Sequence, residues 1–167
     1  MEHLTWRRGG AEDEPLLLTL LAASKAGEFA PLGWSRQQLQ PLLAMQFRAR
    51  KQSYAQAFPE AMNMILCLDG TPVGRHLVDR RPDCFRSVDL AVLPEYRNRG
   101  IGTWALRQMQ QLASLESLAF RLRVVKTNQA LRLYERIGFI RVSNDDSSWE
   151  LEWQAQDTVQ RRILASG

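Results

Sequence analysis

Residues 90–102, with the sequence LAVLPEYRNRGIG, constrain the fold of this chain more than any other segment. An apolar strand pattern leads through a basic loop into a helix. Gly100 and Gly102 let the backbone approach a ligand closely, and Arg97 and Arg99 add positive charge. A helix N-terminus also offers unpaired N–H groups and the positive end of its dipole. The segment therefore predicts an anion site, most naturally for phosphates.

Two common phosphate-binding motifs do not match this loop. A P-loop requires Lys and Ser or Thr after its second glycine, but Ile101 and Gly102 follow Gly100 here. A dinucleotide fingerprint ends on Gly or Ala, which Ala105 satisfies, but no repeated strand–helix–strand unit follows. A strand–helix corner without any ligand remains the alternative interpretation.

The composition indicates one globular domain. The chain has 167 residues, 45% of them hydrophobic, which excludes disorder and collagen-like classes. No apolar run reaches the roughly 18 residues of a membrane span. The longest run, 16–23, follows Glu12, Asp13 and Glu14, whereas a signal peptide has a basic flank, so we predict a helix there.

Cysteine and histidine are too sparse for a disulfide framework or a metal site. Cys67 and Cys84 are widely separated, and His3 and His76 are the two histidines. We expect free thiols, no metal and a cytoplasmic location. The 22 Lys and Arg against 18 Asp and Glu give a net charge of +4, which permits an anionic partner without specifying one.

The order of the elements predicts a mixed α/β fold with a central sheet. Pattern and turn signals place the strands at residues 4–8, 62–68, 71–78, 87–93, 120–124, 139–142 and 149–153. The first predicted helix spans 12–26 and ends at Gly27, and the second spans 35–57, with a restart near Pro41 as an alternative. A third helix is predicted to begin within 100–103, and a fourth spans 130–137. The tail, 154–167, is expected to be a polar helix or a frayed end.

Two motifs in this order resemble the GCN5-related N-acetyltransferase (GNAT) family. Residues 97–102, RNRGIG, match its Arg/Gln-x-x-Gly-x-Gly/Ala signature, and residues 130–139, ALRLYERIGF, match its Ala-x-x-Leu-Tyr-x-x-x-Gly-Phe segment. The resemblance covers residues 88–139. It implies a mixed, mostly antiparallel sheet flanked by helices and splayed between two central parallel strands. It also implies acceptor-side helices at 12–58, a cofactor-binding core at 62–153 and a tail at 154–167.

The resemblance implies acetyl-CoA as the co-substrate. In the family, backbone N–H groups of the loop hold the CoA pyrophosphate, and the pantetheine arm pairs with the preceding strand like an added strand. A backbone N–H near Val92 would then stabilise the oxygen of the thioester carbonyl. Carried over to this chain, the cofactor-binding residues are Leu90, Ala91, Val92, Arg97, Asn98, Arg99, Gly100, Ile101, Gly102 and Thr103.

The same resemblance places Tyr134 where the family keeps its general acid; the alternative is a core aromatic on a helix stripe. The acceptor amine must lose a proton, and Asp89 is a candidate base acting through a water molecule. Asp89 is equally compatible with a sheet position paired to an arginine. His76 is a weaker candidate on the neighbouring strand.

One position departs from the family pattern. The family has Asn three residues before the Ala of its second motif, but three residues before Ala130 is Thr127, and Asn128 is two residues before it. Either Thr127 or Asn128 is therefore expected to contact CoA. Asn128 is also a good N-cap for the helix that follows.

We therefore expect an acetyl-CoA-dependent N-acetyltransferase that transfers acetyl directly to a primary amine of a small molecule or a protein. A non-catalytic acyl-CoA-binding module is the first alternative, and a basic nucleic-acid-binding domain is the second. The sequence contains no nucleic-acid recognition motif, so no nucleic-acid partner is expected. Because no apolar run is long enough to span a membrane, no membrane partner is expected either. A homodimer is compatible with the resemblance.

Overall fold

The computed structural model describes the backbone of residues 1–167 and the side chains of all of them except Thr158, Val159, Arg161 and Arg162. Short 3-10 turns lie at Ala11–Asp13, Ala30–Leu32 and Pro94–Tyr96. The strands are β1 (Leu4–Arg8), β2 (Met62–Leu68), β3 (Thr71–Arg80), β4 (Cys84–Val92), β5 (Ala119–Val125), β6 (Ile140–Asn144) and β7 (Ser148–Trp153). The helices are α1 (Glu14–Phe29), α2 (Arg36–Ala57), α3 (Ile101–Leu115), α4 (Leu131–Arg136) and α5 (Gln156–Ala165).

The seven strands form one sheet in the order β1-β2-β3-β4-β5-β7-β6. β4 and β5 are parallel, while β1 with β2, β5 with β7, and β6 with β7 are antiparallel. This confirms the predicted mixed, mostly antiparallel sheet flanked by helices. The Cα partners of β4 and β5 run from Cys84 and Ala119 to Ser87 and Leu122. Both strands continue beyond that pairing.

The chain divides into two compact units. The first unit contains Met1–His76 and Leu90–Ile101, and the second contains Leu77–Asp89 and Gly102–Gly167. The prediction of a single domain stays a prediction.

In the first unit, apolar faces of β2 and α1 supply the core. Ile65 and Leu66 of β2 have no exposed surface, and Leu20 and Leu21 of α1 are also buried. α2 begins with a capping box that explains its start. The Ser35 hydroxyl accepts a hydrogen bond from the Gln38 N–H (3.2 Å), and the Gln38 side chain accepts one from the Ser35 N–H (2.8 Å).

In the second unit, α3 buries one helical stripe and β5 buries one strand face. Leu106 and Met109 of α3 are each 1% exposed, and Phe120 of β5 and Leu151 of the neighbouring β7 have no exposed surface. The buried Gln110 side chain donates a hydrogen bond to the carbonyl of Ile137 (2.9 Å), which ties α3 to the end of α4.

Some predicted boundaries are wrong. α1 continues through Gly27 to Phe29, because burial of the Phe29 side chain outweighs the roughly 1 kcal/mol propensity cost of glycine. α2 continues through Pro41 without a restart, and its capping box places its beginning at Ser35. β4 begins three residues earlier than predicted, since Cys84 and Phe85 are both buried.

Within the described part of the chain, every helix lacks the combination of length and apolar character that crossing a membrane requires.

Candidate functional site

One backbone N–H at the end of β4, that of Val92, points away from β3. The N–H of Leu93 donates to the carbonyl of Val73 in β3 (2.9 Å). Within one peptide the N–H and C=O point in opposite directions, so the carbonyl of Val92 points away from β3. There it accepts a hydrogen bond from Nε of Arg97 (3.1 Å). In an extended strand a residue's own N–H and C=O point to the same side, so the Val92 N–H also points away from β3.

The second half of β4 is more accessible than the first. Cys84 and Phe85 are 1% exposed, whereas Leu90, Ala91 and Val92 are half-buried. In a sheet interior, alternate residues of a strand are normally well buried. The end of β4 that carries the Val92 N–H therefore retains accessible surface, along which an extended ligand can lie.

The loop after β4 turns sharply before α3 begins. A 3-10 turn over Pro94–Tyr96 directs the chain, and the N–H of Arg97 bonds to the carbonyl of Pro94 (3.2 Å). Asn98 (φ 59°) and Gly100 (φ 76°) are both left-handed. Only glycine adopts this conformation without steric cost, and asparagine tolerates it better than most residues. These residue types therefore allow the loop to enter α3 at Ile101.

The first turn of α3 has the chemistry of an anion site. The N–H groups of Ile101, Gly102 and Thr103 have no carbonyl one turn earlier in the helix to receive them. The side chain of Ile101 is 2% exposed, which anchors the turn, while Gly102 and Thr103 are half-buried. Oriented N–H groups together with the helix dipole favour a phosphate.

The two arginines of the loop already hold protein partners. Arg97 binds the Val92 carbonyl, as described above. The guanidinium of Arg99 lies 5.5 Å from the centre of the Tyr96 ring and forms an ion pair with Glu2. Both arginines are exposed, so their charge is available at the loop surface.

Tyr134 lies in α4, in the second unit. Its ring packs edge-on against Phe139, with the ring centroids 6.0 Å apart. The Tyr134 N–H bonds to the carbonyl of Ala130 (3.0 Å), and the Tyr134 carbonyl accepts from the N–H of Phe139 (3.0 Å). Burial raises the pKa of the Tyr134 phenol above its ordinary value of 10.0, so the hydroxyl carries its proton at neutral pH.

The two candidate bases differ in their access to solvent. Asp89 is half-buried in β4. His76 has no exposed surface, and burial lowers its pKa to about 3. An imidazole enclosed in this way has no surface from which to take a proton from a substrate amine, so Asp89 is the better placed of the two.

Comparison with known proteins tests the resemblance found in the sequence. Residues 61–141 match the model of the acetyltransferase (GNAT) domain. The predicted resemblance to the GNAT family is confirmed. A comparison with curated proteins found no match.

Solved structures share this GNAT fold at low sequence identity. The PaiA N-acetyltransferase from Thermoplasma acidophilum, solved with coenzyme A, is 18% identical with a TM-score of 0.70, over 92% of this chain and 99% of that one. The ribosomal-protein-S18-alanine N-acetyltransferase from Escherichia coli is 16% identical with a TM-score of 0.64, over 91% and 94%. A Bacillus anthracis protein solved with acetyl coenzyme A is 18% identical with a TM-score of 0.51, over 57% and 62%.

The GNAT motif residues divide between the two units. Leu90, Ala91, Val92, Arg97, Asn98, Arg99, Gly100 and Ile101 lie in the first unit, where the structure brings the strand end and the loop together. Asp89, Gly102, Thr103, Thr127, Asn128 and Tyr134 lie in the second. Among the described side chains, no group of three His, Cys, Asp or Glu residues is arranged to hold a metal ion.

The position that departs from the family pattern lies in the turn between β5 and α4. Thr127 and Asn128 are both exposed there. The Asn128 side chain accepts a hydrogen bond from the Ala130 N–H (2.9 Å) within the turn that precedes α4. The N-cap of α4 is Ala130, which has no side-chain capping bond, so the expected N-cap role of Asn128 is wrong. A contact between CoA and one of these two residues, Thr127 or Asn128, stays a prediction.

Sequence reasoning missed Gly74, a buried glycine inside β3 that lies against the end of β4. An isolated glycine in a strand pattern indicates a bulge or a close approach of another backbone. That signal was present in the sequence, but it did not say which backbone approaches.

Proposed function

We propose that this chain is an N-acetyltransferase that takes acetyl-CoA as donor and passes the acetyl group directly to a primary amine. The orientation of the Val92 N–H carries the proposal. That donor faces away from β3 at the end of a half-buried strand, and the strand leads directly into a loop and helix N-terminus suited to phosphates.

Each part of acetyl-CoA corresponds to one feature of this strand, loop and helix N-terminus. The pyrophosphate would accept hydrogen bonds from the backbone N–H groups of residues 98–103, with Arg97 and Arg99 adding charge at the loop surface. The pantetheine arm contains two amides and would pair with residues 90–92 as an added strand. Its thioester carbonyl would then accept a hydrogen bond from the Val92 N–H.

The reaction needs a hydrogen-bond donor for the carbonyl oxygen, an acid for the departing sulfur and a base for the amine. The neutral amine nitrogen attacks the carbonyl carbon, and the electron pair of the C=O bond moves to oxygen, where the Val92 N–H stabilises the charge. The C–S bond then breaks, the carbonyl re-forms and the sulfur leaves as a thiolate. The nitrogen loses its extra proton, so the products are an amide and CoA.

The proton transfers are assigned to Tyr134 and Asp89. Tyr134 would protonate the departing sulfur, and its raised pKa keeps that proton in place until the thiolate forms. Asp89 would take the amine proton through a water molecule. Because a thiol has an ordinary pKa near 8.5, a phenol is a weak but workable donor to it.

Two related proteins support the choice of donor. PaiA was solved with coenzyme A, and the Bacillus anthracis structure holds acetyl coenzyme A. The Escherichia coli protein is named as an N-acetyltransferase of an alanine in a ribosomal protein, and we propose no such acceptor for this chain.

The buried free thiols of Cys67 and Cys84 fit a reducing compartment, and we propose the cytoplasm as the location of this chain.

A thermal-shift titration with acetyl-CoA tests the proposal, with free CoA and ATP as controls. A ligand bound only by the native state stabilises it by about 2.7 kcal/mol at one hundred times its dissociation constant. For a domain of this size that corresponds to a rise of roughly 5–10 °C in Tm. We expect a saturable rise with acetyl-CoA that exceeds the rise with ATP.

The absence of any shift at millimolar acetyl-CoA would refute the donor assignment. A rise equal to that produced by ATP would indicate a general phosphate site instead. A saturable and selective rise would justify an amine screen that monitors release of the CoA thiol.

A further inference from the structure

Gly74 in β3 has no room for a side chain because the backbone of β4 occupies the space. A Cβ built on Gly74 would lie 2.6 Å from the carbonyl oxygen of Ala91 and 3.3 Å from Cα of Val92. Contacts under 3.0 Å essentially never occur for real Cβ atoms, and these neighbours are backbone atoms rather than flexible side-chain ends. All three residues belong to the first unit, so the close approach lies within one compact body.

The same contact defines the direction of the peptide between Ala91 and Val92. The oxygen of Ala91 points toward β3, because it lies against Gly74. A trans peptide holds its N–H opposite its C=O, so the Val92 N–H points away from β3. The hydrogen bond between Leu93 and Val73 gave this direction independently. Contacts with β3 therefore set the direction of the peptide before Val92 and of the peptide after it.

We propose that Gly74 is a positioning residue for acetyl transfer. By lacking a side chain, it admits the Ala91 carbonyl against β3 and so aims the Val92 N–H at the thioester oxygen. The inference rests on the proposed function, since it presumes that acetyl-CoA binds along residues 90–92.

Small displacements matter at this position because oxyanion donors work at short range. Such a donor is effective about 2.7–3.1 Å from the oxygen that gains charge. A methyl group at Gly74 would have to push the Ala91 oxygen away by several tenths of an ångström, and the rigid peptide would turn the Val92 N–H with it. The three atoms nearest to the new methyl group belong to Ala91, Val92 and Leu66, and none of them lies in the loop at 97–103 that would hold the pyrophosphate.

The test compares Gly74→Ala with Gly27→Ala. Gly27 lies in α1, and a Cβ there meets open space, so the same chemical change is made without a backbone clash. The probe is acetyl-CoA labelled with ¹³C at its carbonyl. A hydrogen bond to that carbonyl moves its ¹³C resonance downfield, whether or not an acceptor amine is present. Calorimetry gives the dissociation constant of acetyl-CoA for each protein.

We expect wild type and Gly27→Ala to show the downfield shift on binding. Gly74→Ala should lose most of that shift while its dissociation constant for acetyl-CoA stays within about threefold of wild type, because a single hydrogen bond to a neutral group contributes little to binding. A Gly74→Ala protein that keeps the full shift would overturn the positioning role. Weakened binding with an unchanged shift at saturation would overturn it as well.

A measurement on the wild type covers the case in which Gly74→Ala does not fold. In protein labelled with ¹⁵N at valine, the amide resonance of Val92 should differ between saturation with acetyl-CoA and saturation with free CoA, which lacks the carbonyl. Identical Val92 resonances in the two complexes would overturn the inference. If the wild type binds neither compound, the proposed function fails first, and that result is distinct from the others.

Discussion

At the scale of single residues, Tyr134 is the side chain whose chemistry is easiest to test. Its backbone lies in α4 and its ring packs edge-on against Phe139. Burial raises the pKa of its phenol, which keeps the acid form available over the whole physiological range. A core aromatic would pack equally well without the hydroxyl, so the hydroxyl separates the catalytic interpretation from the structural one.

Replacing Tyr134 by Phe should therefore lower turnover by about 100-fold, the lower range for loss of a general acid. Ring packing is retained, so Tm and the dissociation constant of acetyl-CoA should change little. Steady-state kinetics with an acceptor found by amine screening gives the first quantity, and calorimetry gives the second. Equal turnover of Tyr134→Phe and wild type would show that the thiolate leaves without this proton donor.

At the scale of elements, the junction between β1 and α1 depends on one carboxylate. Asp13 is 4% exposed, accepts a hydrogen bond from the Gly10 N–H (2.9 Å) and forms two hydrogen bonds with the Arg7 guanidinium (2.7 and 2.9 Å). The bond to Arg7 is the largest cause that lowers the pKa of Asp13 below its ordinary value of 3.8. The charged form of Asp13 therefore stabilises the folded chain.

Because the folded-state pKa of Asp13 is lowered, its contribution is present above pH 3.8 and is lost as the pH falls through the folded-state value. Asp13→Asn should lower the free energy of unfolding by about 2 kcal/mol at pH 7, the range for hydrogen bonds to charged groups. Thermal unfolding at several pH values should show the difference from wild type shrinking below pH 3.8.

The exposed carboxylate of Glu12, one residue earlier, provides the matched control for this experiment. Glu12→Gln should change the free energy of unfolding by no more than about 0.5 kcal/mol, as is usual for surface substitutions. A difference between wild type and Asp13→Asn that stays constant down to acidic pH would contradict the assigned role of the charge.

Element positions were largely predictable because they depend on local patterns. The alternation in β5, the stripe of α3 and the Asp69-Gly70 turn between β2 and β3 all lie within short windows of sequence. The end of α1 was not predictable in this way. Its last turn is held by burial of Phe29, and burial depends on residues distant in the chain.

At the scale of the whole molecule, the net charge of +4 favours an anionic co-substrate without defining where it binds. If acetyl-CoA binds the basic loop at 97–103, part of its affinity is electrostatic. Salt shortens the Debye length from about 10 Å at 0.1 M to about 3 Å at 1 M. The dissociation constant should therefore rise with salt concentration.

Calorimetry at 0.05–0.5 M NaCl measures this dependence, with dephospho-CoA as the matched ligand of lower charge. We expect a shallower slope for dephospho-CoA than for CoA. Affinity that does not change with salt would contradict the charged loop as the phosphate site. Duplex DNA should show no binding at the lowest salt concentration, and tight, steeply salt-dependent binding would instead favour the nucleic-acid interpretation.

The sequence by itself determined the succession of elements, the basic glycine loop after β4 and the family resemblance. These features are carried by neighbouring residues, whose periodicity and turn chemistry act over a few positions. Only the tertiary structure decided how the site is held: the approach of Gly74 to Ala91, the bond from Arg97 to the Val92 carbonyl and the enclosure of His76. The physical reason is strand register, since the alignment of β3 with β4 sets which peptide faces which, and no local pattern encodes that alignment.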